Sequence, residues 1–223
     1  VSARGEGRFG KKASRAGPVA GPRQRSLSAV TLCAAVRTKA PFDYHTVVFS
    51  PDYRAEFDAL FGERHMPQEP TIYVCAPEPP SADGTQGVLM ILNAPADGDR
   101  RAYGEEDVAR CQNQAMATLE RAGLSTEIVE LAPTTPTEFA QMLPATGGAI
   151  YGRGSHGWTA SFQRTGQRTK IRGLYLAGGS VHPGPGAPMS ALSGQMAAHC
   201  VMKDFGLMPQ SRPAAISGGT STA

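Results

Sequence analysis

"GLYLAGGSVHPGPGAPMSALSGQMAAHCVMKDFG", residues 173–206, packs an apolar run, a Gly/Pro corner and a helical pattern into one segment near the end of the chain. A short apolar run, "LYLAG" (174–178), leads into closely spaced Gly and Pro residues, seven counting its own Gly178, and then into a helical pattern that Gly206 can end. Pro188 suits a first helical turn, because the N–H it lacks would have no partner there. Met189, Leu192, Met196 and Cys200 recur at three- and four-residue intervals and form one apolar stripe. The stretch therefore reads as a buried strand, a bare corner and a helix. Gly178 and Gly179 let the main chain approach a ligand closely, and amides at the helix start, near Ser190 and Ala191, would face an anion or a polarisable ring. From these residues alone a tight corner with no ligand is an equal alternative.

Outward from that corner the chain alternates strand and helix patterns, which places it in the α/β or α+β class. "LSAVTLCAAV" (27–36), "YHTVVFS" (44–50), "TIYVCAP" (71–77), "GVLMILNAP" (87–95), "STEIVELAP" (125–133) and "GGAIYGRGS" (147–155) read as strands. "PDYRAEFDALFGE" (51–63) and "TPTEFAQML" (135–143) read as short helices, the second capped by a Thr with Pro136 in its first turn. The clearest helix is 104–122, with Val108, Cys111, Ala115, Leu119 and Ala122 on one face. Glu105, Glu106 and Asp107 load its first turn, where the positive end of the helix dipole favours them.

Composition narrows the function classes. Residues 1–25 hold seven Lys or Arg against the single Glu6, whereas the remainder holds fifteen against eighteen acidic residues. The folded part is thus mildly acidic and is not expected to bind nucleic acid. Four scattered cysteines form no CxxC pair and the five histidines show no ligand spacing, so zinc is not expected and the thiols read as buried and free. No run approaches the ~18 apolar residues of a membrane span. Residues 1–25 and 207–223 have little to bury and read as a disordered or unrelated basic leader and a flexible tail.

Two further stretches match GxGxxG by letter. "GEGRFG" (5–10) lacks a preceding strand, and "GRGSHG" (152–157) is followed by "WTASFQRTGQRT", which gives no apolar helix face and no acidic residue at ribose distance. Both read as chance or as a loop turn.

"GLYLAGGSVHPGPGAPMSALSG" (173–194) resembles the C-terminal FAD-contacting motif of the bacterial phytoene desaturase family, flavoproteins that desaturate carotenoids. "RSLSAVT", "FSPDYRAEFDALF", "PTIYVCAPE", "LNAPADGD" and "GGAIYGRGSHGWTASFQRTG" are similar, in the same order, to the branch that forms a 3,4 double bond in 1-hydroxy- or methoxy-carotenoids. The resemblance covers residues 26–206, and nothing in it matches residues 1–25. It implies a Rossmann-like FAD domain assembled from both chain ends, with a mixed-sheet substrate domain inserted between. Residues 26–145 would be part of the substrate domain and 146–206 the C-terminal part of the FAD domain. The family's GxGxxG segment has no counterpart here, so the resemblance implies a C-terminal fragment that needs the missing N-terminal half of the FAD domain to be active.

The same resemblance implies FAD as cofactor, contacted by Gly178, Gly179, Ser180, Val181, Pro188, Met189, Ser190 and Ala191. His182, in the same loop, and His156 and Trp158, in "GSHGW", would approach a carotenoid substrate; each reads equally as a loop or packing residue. A water-insoluble substrate implies a cytoplasmic protein in peripheral contact with the inner or photosynthetic membrane. A related flavin-dependent isoprenoid isomerase or saturase, or a non-catalytic remnant module, stays open as an alternative.

Overall fold

The structure, a computed structural model, describes residues 21–154 and 164–207. Its centre is a five-stranded antiparallel sheet in the order β2-β3-β4-β1-β5, built from β1 (Ser28–Thr38), β2 (His45–Val48), β3 (Ile72–Cys75), β4 (Thr85–Ala94) and β5 (Thr126–Thr134). Helices α1 (Tyr53–Phe57), α2 (Glu105–Arg121), α3 (Pro136–Met142) and α4 (Ala187–Asp204) complete the fold. A mixed sheet was expected, but every strand pairing is antiparallel. The α+β reading fits this arrangement.

The period-two pattern of the central strands sets the core. Val30, Leu32, Ala34 and Val36 of β1 and Val88, Met90, Leu92 and Ala94 of β4 point to one face, and all are buried. Helix α2 covers that face with Cys111, Ala115 and Leu119, all with no exposed surface. Burial of each large aliphatic side chain here stabilises the fold by about 2 kcal/mol. Val108 is only half-buried and Ala122 is exposed; Thr118 takes the inward place that the apolar stripe had given to Ala122. The helix start is closed by Asp107, whose carboxylate accepts from the Gly104 amide, and Gly123, at φ +79°, ends the helix.

Two expected strands are not strands. Tyr151 to Arg153 and Tyr175 make only isolated bridges, Arg25 with Arg153 and Arg168 with Tyr175. A fully buried strand needs hydrogen-bonded neighbours along its length, whereas 174–178 is half-buried or exposed and its pairing among the described residues is limited to the Arg168–Tyr175 bridge and the Leu176 amide, which donates to the Gln167 carbonyl at 2.8 Å. The first short helix is also different: α1 ends at Phe57 and continues as a wider π-type turn over Asp58–Glu63.

Residues 21–25, grouped by composition with the leader, are packed into this unit. Pro22–Gln24 forms a 3-10 turn, and the Arg25 side chain is 7% exposed, so the packed chain begins ahead of the boundary set at residue 26. The thiols also depart from expectation: only Cys111 is buried, Cys33 is exposed, and Cys75 and Cys200 are half-buried, all four free. Among the described residues no helix is long and apolar enough to cross a membrane.

Candidate functional site

The Gly/Pro corner is held from below by two polar side chains of the preceding loop. Gln167, buried, donates from Nε2 to the His182 carbonyl at 2.5 Å, and the His182 amide donates to the Thr165 carbonyl at 2.9 Å. Arg164 donates to the carbonyls of Gly179 and Arg153, both at 3.1 Å. Burial lowers the pKa of this guanidinium from its usual value. Neither residue stood out in the sequence, because a hydrogen bond to a carbonyl fifteen residues away leaves no local pattern.

The corner itself is bare on one side. Gly178 has φ +111° and Gly186 φ +102°, conformations that L side chains rarely adopt, and a Cβ built on either would meet nothing within 4 Å. Gly179 is closer to its surroundings, since a Cβ there would lie 3.3 Å from Ser190 Oγ. Val181 is buried, Ser180 exposed and His182 half-buried. Pro188, Met189 and Ala191 are exposed on the first turns of α4, and Ser190 is half-buried. His156 and Trp158 lie outside the described residues.

Helix α4 begins at Ala187, so its donors fall earlier than the sequence suggested. The Ser190 amide donates to the Gly186 carbonyl at 2.8 Å inside the helix. The first-turn amides without intrahelical partners are therefore those of Ala187 and Met189, Pro188 having none. No acidic residue sits in that turn and no side chain caps it. The inward residue of α4 is Ser193, fully buried, whose Oγ accepts from the Gly178 amide at 3.2 Å. Met189 and Leu192 of the expected apolar stripe are 41% and 42% exposed instead. A helix resting on a polar bend turns a hydroxyl toward it and leaves its apolar side outward.

A second feature lies on the sheet face opposite α2. In the three central strands that face carries Tyr73 and Cys75 (β3), Leu89 and Ile91 (β4), and Thr31, Cys33, Ala35 and Arg37 (β1), all exposed or half-buried; Arg37, at the far end of β1, pairs with Glu127 of β5 at 3.2 Å, and the others named carry no charge. Antiparallel sheets with one solvated face ordinarily place polar residues there. At one end of this face Asn93 donates from Nδ2 to Glu56 Oε1 at 3.4 Å, and Thr71 Oγ1 donates to Glu56 Oε2 at 2.6 Å. Glu56 is 1% exposed. The corner meets the same end: the Ser26 amide, just before β1, donates to the Gly152 carbonyl at 2.8 Å, and a Cβ on Gly152 would lie 2.5 Å from Ser180 Oγ.

The main-chain bend fits a flavin on these observations: glycines opening onto free space, an uncapped helix start without acids, and donors available there. Among the described residues no three His, Cys, Asp or Glu side chains group to hold a metal ion.

The fold and site thus describe an open, mostly uncharged sheet surface meeting a bare glycine bend that leads into a helix. No family model matches the chain. Curated relatives do. The chain is 41% identical to a hydroxyneurosporene desaturase of Rubrivivax gelatinosus, over all of this chain and 44% of that protein. A hydroxyneurosporene desaturase of Cereibacter sphaeroides is 38% identical over 81% of this chain and 37% of its own length. A 1-hydroxycarotenoid 3,4-desaturase of a Flavobacterium species is 30% identical over 80% and 38%. The chain belongs to this carotenoid desaturase family. It spans less than half the length of the curated relatives it matches. The Rubrivivax match takes in residues 1–25, which the resemblance had left out.

Proposed function

We propose that the chain is part of an FAD-dependent carotenoid desaturase that introduces a 3,4 double bond into a 1-hydroxycarotenoid. The stretch of sheet face beside the glycine bend, uncharged from Ile91 to Cys33 with the Arg37–Glu127 ion pair at the far end of β1, carries this reading, because a linear polyene offers little besides apolar surface to recognise. When bound, FAD supplies the acceptor for the hydride removed from a saturated carbon pair. The chain's part is to hold and exclude. Main-chain groups of Gly178, Gly179, Ser180 and Val181, with the free amides of Ala187 and Met189 at the α4 start, would hold the flavin's ribityl arm and ring edge, while Pro188, Ser190 and Ala191 would offer it side-chain surface. Leu89, Ile91, Tyr73 and Cys33 would keep water from the polyene. His182, its main chain pinned by Gln167 and Thr165, would lie near the ring, and His156 and Trp158 near the polyene.

In this reading residues 26–145 form a substrate-binding portion and 146–206 part of the FAD domain, while the segment that cradles the pyrophosphate belongs to the family length these residues do not span. A water-insoluble substrate is collected from a bilayer, so the reading includes a cytoplasmic protein in peripheral contact with the inner or photosynthetic membrane.

The test is reconstitution of the chain, alone and within its full reading frame, with FAD and hydroxyneurosporene. Retention of a flavin band after gel filtration and a red shift of the polyene spectrum are expected for the full-frame protein. Flavin that washes out and an unchanged polyene would overturn the reading.

A further inference from the structure

A carotenoid that carries one hydroxyl has a single hydrogen-bonding group on a long hydrocarbon, and a site selective for it needs an acceptor placed on an otherwise apolar surface. We propose that Asn93, its amide oriented by the buried Glu56, is the residue that accepts a hydrogen bond from the terminal hydroxyl of a linear hydroxylated polyene lying along the open sheet face. This rests on the carotenoid reading above and names the group within that site that selects the substrate.

Alternation along β4 puts Asn93 on the same face as Leu89 and Ile91, half-buried at its end. Asn93 and Leu89 are four residues apart, about 13 Å along the strand. Glu56 takes a hydrogen bond on each carboxylate oxygen, from Asn93 Nδ2 and Thr71 Oγ1. An amide that spends its N–H on a carboxylate must present its oxygen elsewhere. Among the described residues no donor reaches Asn93 Oδ1. Thr71 is itself fixed, accepting from the Ser50 amide at 3.0 Å while donating to Glu56. Glu56, 1% exposed, therefore serves as a positioning residue rather than a contact for the ligand.

The location matches the chemistry. Asn93 pairs with Ala29 across the β1–β4 ladder, three residues after Ser26, which binds Gly152 beside Ser180 of the bend. The polar end of the face is thus the end nearest the flavin-contact bend. A double bond formed at carbons 3 and 4 lies next to a hydroxyl on carbon 1, so both must sit at one end of the molecule.

The probes are hydroxyneurosporene and 1,2-dihydroneurosporene, the hydrocarbon that lacks only the hydroxyl, titrated in detergent micelles into the full-frame protein, with binding read from induced circular dichroism of the polyene. Wild type is expected to favour the hydroxylated polyene about tenfold, the ratio that one well-formed hydrogen bond supports. Asn93→Leu should remove that preference by weakening hydroxyneurosporene alone, and Glu56→Gln should narrow it. Asn93→Ala, which only removes atoms from a half-buried position, serves if the leucine variant does not fold. Wild type binding both polyenes equally, or Asn93 variants keeping the wild-type ratio, would overturn the proposal while leaving the carotenoid reading standing. If wild type binds neither, the carotenoid reading fails and this inference with it.

Discussion

Arg25 and Asp99 close a separation of 74 residues with a two-pronged ion pair, Nη1 to Oδ1 at 2.8 Å and Nη2 to Oδ2 at 2.6 Å. Arg25 Nη1 also donates to the Ala96 carbonyl at 3.0 Å. The pair fastens the entry to β1 onto the loop after β4. Gly147 packs against it so tightly that a Cβ there would fall 2.0 Å from Arg25 Nη1.

Arg25→Ala is expected to destabilise the fold by about 1–2 kcal/mol, because it removes the bonds to Ala96 and Asp99 but leaves behind a carboxylate that water can reach. The hydrogen bond from Arg25 is the first cause holding the Asp99 carboxyl below its ordinary range. A carboxyl with a depressed folded-state pKa contributes stability that is complete above about pH 4 and is lost as pH falls through the folded-state value. Urea unfolding from pH 6 down to pH 2 should therefore show a steeper loss in wild type than in Arg25→Ala.

Gly178→Ala and Gly87→Ala make a matched pair. Neither added methyl group meets anything within 4 Å, but only Gly178 has a left-handed φ, +111°. Backbone strain should cost Gly178→Ala about 1–3 kcal/mol. Gly87→Ala should be neutral or stabilise by up to about 1 kcal/mol through the unfolded chain. Equal urea midpoints for the two variants would show that the bend does not need its glycine.

Arg164→Ala should loosen the bend without unfolding the sheet, because the guanidinium's bonds to Gly179 and Arg153 lie in the C-terminal loops. The measurement is amide hydrogen exchange: the His182 amide, bonded to Thr165, should exchange at least tenfold faster, while the β1 and β4 amides keep wild-type protection. Unchanged protection at His182 would remove Arg164 from any part in ordering the corner.

Thiol titration should divide the cysteines. Burial pushes the Cys111 thiol up to about 11, so it should resist a disulfide reagent at pH 8 until the protein is unfolded. Cys33, exposed on the open sheet face, should react first. Protection of Cys33 by added hydroxyneurosporene is expected if that face receives the polyene.

Elements with a regular apolar run were legible in the sequence alone. Apolar runs located β1 and β4, and three- and four-residue spacing marked Cys111, Ala115 and Leu119 as the buried face of α2, because one apolar surface beneath a regular element imposes one period. The Pro188 and Gly206 punctuation located α4, and the motif around it pointed to the family. Tertiary structure alone decided which side of α4 turns inward: the polar bend beneath it selects Ser193 over the Met189–Leu192 stripe. It also decided that 174–178 makes an isolated bridge and not a strand, that Arg25 belongs to the packed chain, and that Glu56 reaches Asn93 across 37 positions. Such contacts are set by where distant segments meet, and a hydrogen bond between them leaves no periodic trace in either.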